Sequence, residues 1–186
     1  MKNRWKWIRI SLFILFACLI TALAYQVGYD SAKTDQPVPT PTPATQPVDK
    51  LEPSDIDTNQ LFALVNDERA KVGIQPLTLN TALNASAAEK CNDMVARNYW
   101  SHNTPDGQEP FVVIEKHYGQ YRQLEENLGY GFKDAQSTVY GWMNSPGHKR
   151  NILERNVTEV GYAICYSPNY ISQGENLIVV QHFASR

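Results

Sequence analysis

The chain has 186 residues, of which 42% are apolar and 19% are charged, and its formal net charge is −2. This length supports one globular domain with its own core, and the composition excludes collagen-like, fully disordered and multi-span membrane proteins. Four positive residues and no acidic residue occur in the first 24, so the net charge of the rest is −6. That acidic remainder argues against nucleic acid as a partner.

Residues 1–29 have the pattern of an export segment. Four positive side chains precede an uncharged apolar run over residues 10–24, and the run ends in a small-x-small cleavage pattern, Ala22-Leu23-Ala24. With the flanking tryptophans, the same run approaches the roughly 20 residues that span a bilayer. The sequence therefore predicts either a cleaved signal peptide or an N-terminal membrane anchor, and both place the rest of the chain outside the cytoplasm.

Residues 30–53 are predicted to be a proline-rich linker. Six of the eleven prolines of the chain lie between Pro37 and Pro53. Alternating X-Pro dipeptides disfavour helix and keep the backbone extended in polyproline II. We therefore expect a semi-rigid spacer that holds the domain of residues 54–186 away from the membrane.

Apolar residues at helical spacing predict two long helices at the start of this domain. The first begins at Ser54-Asp55 and runs for about five turns to Gly73, because a glycine suits a left-handed C-terminal cap. The second begins at Asn80 or Thr81 and ends near Asn98.

Two shorter helices and a late pair of strands complete the predicted elements. A short helix starts at Pro110, and a fourth helix runs from Asp134 until Ser145-Pro146-Gly147 stops it. Runs of β-branched and aromatic residues over 159–166 and 176–183 predict an antiparallel pair. Helices first and strands late, without regular alternation, indicate an α+β or three-layer arrangement.

The candidate chemistry centres on two histidines that the sequence places in loops. His102 precedes a Pro-Asp-Gly turn, His148 follows the Ser-Pro-Gly stop, and the acidic pair Glu125-Glu126 lies between helices. Imidazole and carboxylate together suit zinc, and three protein ligands leave a coordination position for water or substrate. The alternative, which spacing alone favours, is that each histidine caps a loop or bonds a backbone carbonyl.

Cys91 and Cys165 are predicted to form a disulfide, because an exported domain keeps these two cysteines in an oxidising setting. Free thiols are the alternative. Cys91 falls on the apolar face of the second predicted helix, where a thiol is buried and inert, and this argues against a cysteine-protease nucleophile. The sequence contains no Gly-x-Ser-x-Gly, His-Glu-x-x-His, P-loop or Cys-x-x-Cys motif.

Five short motifs follow one another along residues 60–183. They are Leu64-Val65-Asn66-Asp67-Glu68-Arg69, Tyr99-Trp100-Ser101-His102, Glu126-Asn127-Leu128, Trp142-Met143-Asn144-Ser145-Pro146-Gly147-His148 and Thr158-Glu159-Val160-Gly161. In this order and at this spacing they resemble the CAP superfamily, the domain shared by cysteine-rich secretory proteins, antigen 5 and plant pathogenesis-related proteins. The resemblance is to the bacterial SCP-like branch in particular.

The resemblance implies a three-layer α-β-α sandwich, with a small antiparallel sheet between helical layers and a central cleft. In the family, two histidines and acidic residues face one another in this cleft and can hold a divalent ion, often zinc. The matching positions here are His102, Glu126 and His148. Glu126 is preferred over Glu125 because it directly precedes the family asparagine. Ser145 stands where many eukaryotic members have a fourth, acidic group, so water would complete the shell of a bound ion.

Two functions are consistent with the resemblance, because no single activity belongs to this superfamily. The first is a non-catalytic module, displayed at the cell envelope or secreted, that binds a lipid, glycan or protein. The missing fourth acid favours it. The second is a metal-assisted hydrolase, in which His102 and His148 bind the ion and Glu126 is the general base. A third interpretation is structural, with all three residues holding the loops in place.

Overall fold

A four-stranded sheet in the order β1-β3-β4-β2 organises the structure, a computed structural model that describes residues 50–186. The strands are β1 (Thr78–Leu79), β2 (Gln123–Tyr130), β3 (Glu159–Ser167) and β4 (Asn176–Ser185). β4 pairs antiparallel with both β2 and β3, and β1 pairs parallel with β3. The predicted export segment and residues 30–49 of the predicted linker lie outside the described residues.

Five α-helices accompany the sheet within residues 50–186. They are α1 (Thr58–Lys71), α2 (Thr81–Ala96), α3 (Pro110–Tyr118), α4 (Ala135–Asn144) and α5 (Pro146–Ile152). Short 3-10 helices occur at Pro53–Asp55 and Tyr170–Ser172. In this part of the chain, no helix is both long enough and apolar enough to span a bilayer.

The central strand β4 is buried on both faces, which confirms the predicted α+β, three-layer architecture. Leu177, Val179 and Phe183 belong to the core formed with α1 and α4. The alternate residues Ile178 and Val180 belong to a second core formed with α2. Because successive side chains of a strand point to opposite faces, the sheet separates two helical layers.

The first helix begins later than the sequence predicted. Its N-cap is Asp57, whose side chain accepts a hydrogen bond from the Asn59 amide at 2.8 Å, whereas the predicted start at Ser54-Asp55 lies in the separate 3-10 helix. The helix has 14 residues and therefore about four turns rather than five. Its predicted end is confirmed, since Gly73 has a φ of +68°.

The predictions for the second and third helices are confirmed, but Pro146 begins a helix instead of only ending one. The extended backbone of Ser145 separates α4 from α5, and a proline at the first helical position loses no hydrogen bond. His148 therefore lies in the first turn of α5 rather than in a loop, which corrects the prediction.

The strand β2 was not predicted from sequence, and Glu125-Glu126 lies within it rather than in a connection between helices. Its first five residues are mostly polar and give no alternating apolar pattern. The strand forms because its backbone pairs with β4 along its whole length, from Gln123 opposite Ser185 to Tyr130 opposite Ile178.

The predicted disulfide is confirmed. Cys91 of α2 and Cys165 of β3 are bonded, with their Cα atoms 6.0 Å apart and a sequence separation of 74. Cys91 is fully buried, as its place on the apolar face of the second helix predicted. The bond joins one helical layer to the sheet.

Arg69 anchors α1 to the segment that follows α5. Its side chain is 1% exposed, and it donates to the carbonyls of Gln75, Ile152 and Glu154 at 2.8 Å and of Val157 at 3.2 Å. Backbone carbonyls that would otherwise be buried without a partner are thereby satisfied. The guanidinium thus fixes the end of α5, the helix that carries His148.

The packing of α2 against β3 requires a glycine at position 161. A Cβ on Gly161 would overlap the backbone of Leu83 and Asn84. At this approach the Asn84 side chain accepts a hydrogen bond from the Tyr162 amide at 2.9 Å. The absence of a side chain at Gly161 therefore determines the distance between α2 and β3.

We predict that Gly161→Ala destabilises the protein by about 3 kcal/mol, because neither backbone segment can move without breaking the helix or the sheet. The matched control is Gly147→Ala, where an added Cβ meets no atom within 4 Å. That control is expected to lose no stability. Chemical denaturation measures the stability of both variants. Equal unfolding midpoints would show that the packing of α2 against β3 does not require Gly161.

Candidate functional site

The site is built around the Glu126 carboxylate, whose side chain is 2% exposed. Oε1 lies 2.6 Å from His102 Nδ1, and Oε2 lies 2.9 Å from His182 Nε2. Both oxygens of Glu126 are therefore engaged by histidines. Of the two residues in the predicted acidic pair, Glu126 is the one bonded to them, whereas Glu125 Oε1 accepts a hydrogen bond from Gln123 Nε2 at 2.9 Å.

His182 reaches Glu126 because the two residues are directly opposite in the pairing of β2 with β4. Residues opposite one another in an antiparallel pair point to the same face. The imidazole is fully buried, and its Nδ1 lies 2.8 Å from Ser86 Oγ on α2. The sequence alone did not show whether His182 approaches the cleft, because its position depends on the register of β2 against β4.

Lys90 holds the loop that carries His102. This lysine is 3% exposed and lies one helical turn after Ser86 on α2. Its ammonium group donates to the carbonyls of Ser101 and His102, at 2.9 and 2.6 Å, and to the Tyr99 hydroxyl at 3.2 Å. All three ammonium hydrogens thereby have acceptors. Sequence reasoning missed Lys90, because a lysine in a helix usually faces solvent.

The charges of the site follow from these contacts. Burial raises the pKa of the Glu126 carboxyl, but hydrogen bonds from His102 and His182 outweigh burial, so the pKa lies below its ordinary value. The charge of Lys90 acts in the same direction. Burial lowers the pKa of Lys90. Burial and repulsion from His102 lower the pKa of His148. At neutral pH the site therefore contains an ionised Glu126 and a neutral His148.

Asparagine side chains connect α5 to the sheet behind the site. Asn151 Nδ2 donates to the Glu126 carbonyl at 3.0 Å and to Asn127 Oδ1 at 2.9 Å. Asn127 Nδ2 donates to the His148 carbonyl at 3.2 Å and to Gln181 Oε1 at 2.9 Å. These bonds place the first turn of α5, with His148, beside the strand that carries Glu126.

A cleft of about 260 Å³ brings the three predicted ligands to one place. Its wall consists of a proline and a phenylalanine, of imidazole and charged side chains, and of residues at the start of α5. The lining residues are His102, Pro110, Phe111, Glu125, Glu126, Ser145, Gly147, His148, Arg150 and Asn151. Asn151 Oδ1 is the buried side-chain atom without a hydrogen-bond partner within residues 50–186. The cleft thus brings two imidazole groups, His102 and His148, beside the Glu126 carboxylate.

Binding of a divalent ion by His102, Glu126 and His148 stays a prediction. Among the residues that the structure describes, no three His, Cys, Asp or Glu side chains converge at the distances of a metal centre. His102 bonds Glu126 through Nδ1, which leaves Nε2 for a ligand. Direct coordination by Glu126 stays a prediction, and it requires one of its oxygens to give up a histidine.

Residues 62–183 match the family described as "CAP: Cysteine-rich secretory protein family". A curated relative, the "Uncharacterized protein YkwD" of Bacillus subtilis, is 34% identical over 146 residues. The match covers 76% of this chain and 57% of that protein. The chain therefore spans little more than half the length of this relative.

Two solved structures share the fold. An extracellular protein containing a SCP domain from Bacillus anthracis has a TM-score of 0.59 at 22% identity, over 72% of this chain and 41% of that chain. An outer surface protein from Borrelia burgdorferi also has a TM-score of 0.59, at 20% identity, over 72% of this chain and 93% of that chain. Both likenesses concern architecture alone.

We predict that Lys90→Met destabilises the protein by about 3 kcal/mol, because two loop carbonyls lose their donor and the buried Glu126 loses a neighbouring positive charge. The matched control is Lys116→Met, since Lys116 is exposed and bonds only the exposed Glu89 within the described residues. That exposed pair contributes less than about 1 kcal/mol. Thermal unfolding measures the stability of both variants. If Lys90→Met loses no more stability than Lys116→Met, Lys90 does not hold the loop of His102.

Proposed function

This chain belongs to the cysteine-rich secretory protein (CAP) family, and on that premise we propose that it is an exported module that binds a ligand in the cleft between His102 and His148. The ligand meets imidazole groups, and the carboxylate behind them orients rather than reacts. The domain acts at the cell envelope or outside the cell.

One observation carries this proposal: both oxygens of Glu126 accept hydrogen bonds from histidines. The Glu126 side chain is 2% exposed, and each of its oxygens accepts a hydrogen bond from a histidine, so burial and these two contacts shield the carboxylate from a water in the cleft. The half-exposed imidazole of His102 is the group available to a ligand. The geometry therefore supports binding over the hydrolase in which Glu126 is the general base.

A divalent ion, with zinc the best match, is part of the proposal. A histidine that bonds a carboxylate through one nitrogen presents the other nitrogen in a fixed direction, which is the usual support of a metal-binding histidine. His148 is neutral and lines the same cleft, so it supplies a second imidazole. Two protein ligands leave the remaining positions to solvent or to the ligand of the module.

The extracytoplasmic location is supported by two independent features. The predicted export segment over residues 1–29 places the domain outside the cytoplasm whether or not the segment is cleaved. The fold is shared with proteins described as extracellular, from Bacillus anthracis, and as an outer surface protein, from Borrelia burgdorferi. We propose a lipid, glycan or protein of the envelope as the partner, with the proline-rich linker as a spacer.

Zinc titration of the purified full chain, with elemental analysis, tests the proposal. We expect one zinc ion per chain in the unaltered protein and none in the His102→Ala/His148→Ala double variant. The matched control is His117→Ala. His117 lies at the C-terminal end of α3, whereas the cleft residue Pro110 begins this helix, and His117 bonds Glu89 of α2. The control is expected to retain the ion.

The outcome that contradicts the metal part is the absence of zinc binding at micromolar concentration in the unaltered chain. An unchanged melting temperature in the double variant would at the same time exclude the structural interpretation of the two histidines. If the His102→Ala/His148→Ala double variant keeps the ion as the His117→Ala control does, the ion is bound elsewhere and the cleft assignment is wrong.

A further inference from the structure

The hydrogen bonds at Glu126 fix where the histidine protons lie. An ionised carboxylate only accepts hydrogen bonds, so each nitrogen that contacts it must carry a hydrogen. His102 contacts Oε1 through Nδ1, and His182 contacts Oε2 through Nε2. His102 is therefore protonated on Nδ1, and in its neutral form the electron pair is on Nε2.

We propose that His182 is a positioning residue, which acts through Glu126 to hold His102 in the tautomer that presents the Nε2 electron pair to the cleft. The pairing of β4 with β2 and the full burial of His182 fix the position of its imidazole against Glu126. This role for His182 rests on the proposed function only in the choice of ligand, because the tautomer of His102 exists whether or not an ion binds.

His182 is itself fixed from both sides. Its imidazole is fully buried on β4, and Ser86 Oγ lies 2.8 Å from its Nδ1. Ser86 Oγ also lies 3.0 Å from the Leu83 carbonyl. Whether the hydroxyl hydrogen is directed at the carbonyl or at Nδ1, the Nε2 of His182 faces Glu126 and must donate to it.

Without His182, the inner oxygen of Glu126 loses its donor in a buried position. A buried acceptor without a partner is unfavourable, so the carboxylate would rotate toward another donor. That rotation removes the fixed acceptor of His102 Nδ1. The ring of His102, with its side chain 54% exposed, would then exchange between both tautomers.

The chain offers two substitutions that separate a positioning role from a merely structural one. His182→Leu removes the donor to Glu126 and keeps an apolar side chain of similar size. His182→Gln keeps an N–H group that can reach the same oxygen. His117→Leu, at a partly exposed His–Glu pair, is the matched control.

The direct readout is the ring nitrogen signals of His102, from long-range proton–nitrogen correlation spectra of the full chain at neutral pH without metal. We expect a single Nδ1–H tautomer in the unaltered protein, in His182→Gln and in His117→Leu, and averaged signals in His182→Leu. Zinc affinity is expected to fall about 10- to 100-fold in His182→Leu, and to be restored by glutamine.

The inference is overturned if His102 shows mixed tautomers in the unaltered chain, or if His182→Leu leaves its signals unchanged. If His182→Leu does not fold, the unaltered chain and His182→Gln decide. His102 must then stay in one tautomer with glutamine, and a mixture there overturns the proposal. Absence of zinc binding together with the expected tautomers refutes the metal part of the proposed function and supports the role of His182.

Discussion

A carboxylate taken out of water needs hydrogen-bond donors, and Glu126 obtains both of its donors from histidines on different elements. His182 comes from the central strand, and His102 comes from a loop that Lys90 holds by two carbonyls. The carboxylate thus joins a rigid support to a group in the cleft. Because Nδ1 of His102 contacts Oε1 of Glu126, Nε2 is the ring nitrogen left to meet a ligand.

This arrangement depends on the sheet as much as on the site. Glu126 and His182 meet because β2 and β4 pair in one register, and a shift by one residue would send one side chain to the other face. Ser86 and Lys90 reach them because Gly161 allows α2 to lie close against β3. On the other side of the cleft, Arg69 and Asn151 hold α5 so that His148 faces the same space.

Features with a local signal were predicted from the sequence. The helix starts predicted near Asn80 and Asp134 and the disulfide cysteines depend on short-range chemistry and on the export setting, and all of them are found in the structure. The cleft positions His102, Glu126 and His148 came from the family motifs. The polar strand β2, the buried Lys90 and the contact of His182 with Glu126 arise from long-range pairing, which leaves no periodic pattern in the sequence.

A metal-free crystal structure that resolves both carboxylate oxygens of Glu126 tests its two bonds to histidines most directly. We expect His102 Nδ1 at 2.6 Å from one oxygen and His182 Nε2 at 2.9 Å from the other. A carboxylate turned toward the cleft, with either histidine beyond hydrogen-bond distance, would contradict it. In that case Glu126 would be free to act on a cleft water, and the hydrolase interpretation would be favoured.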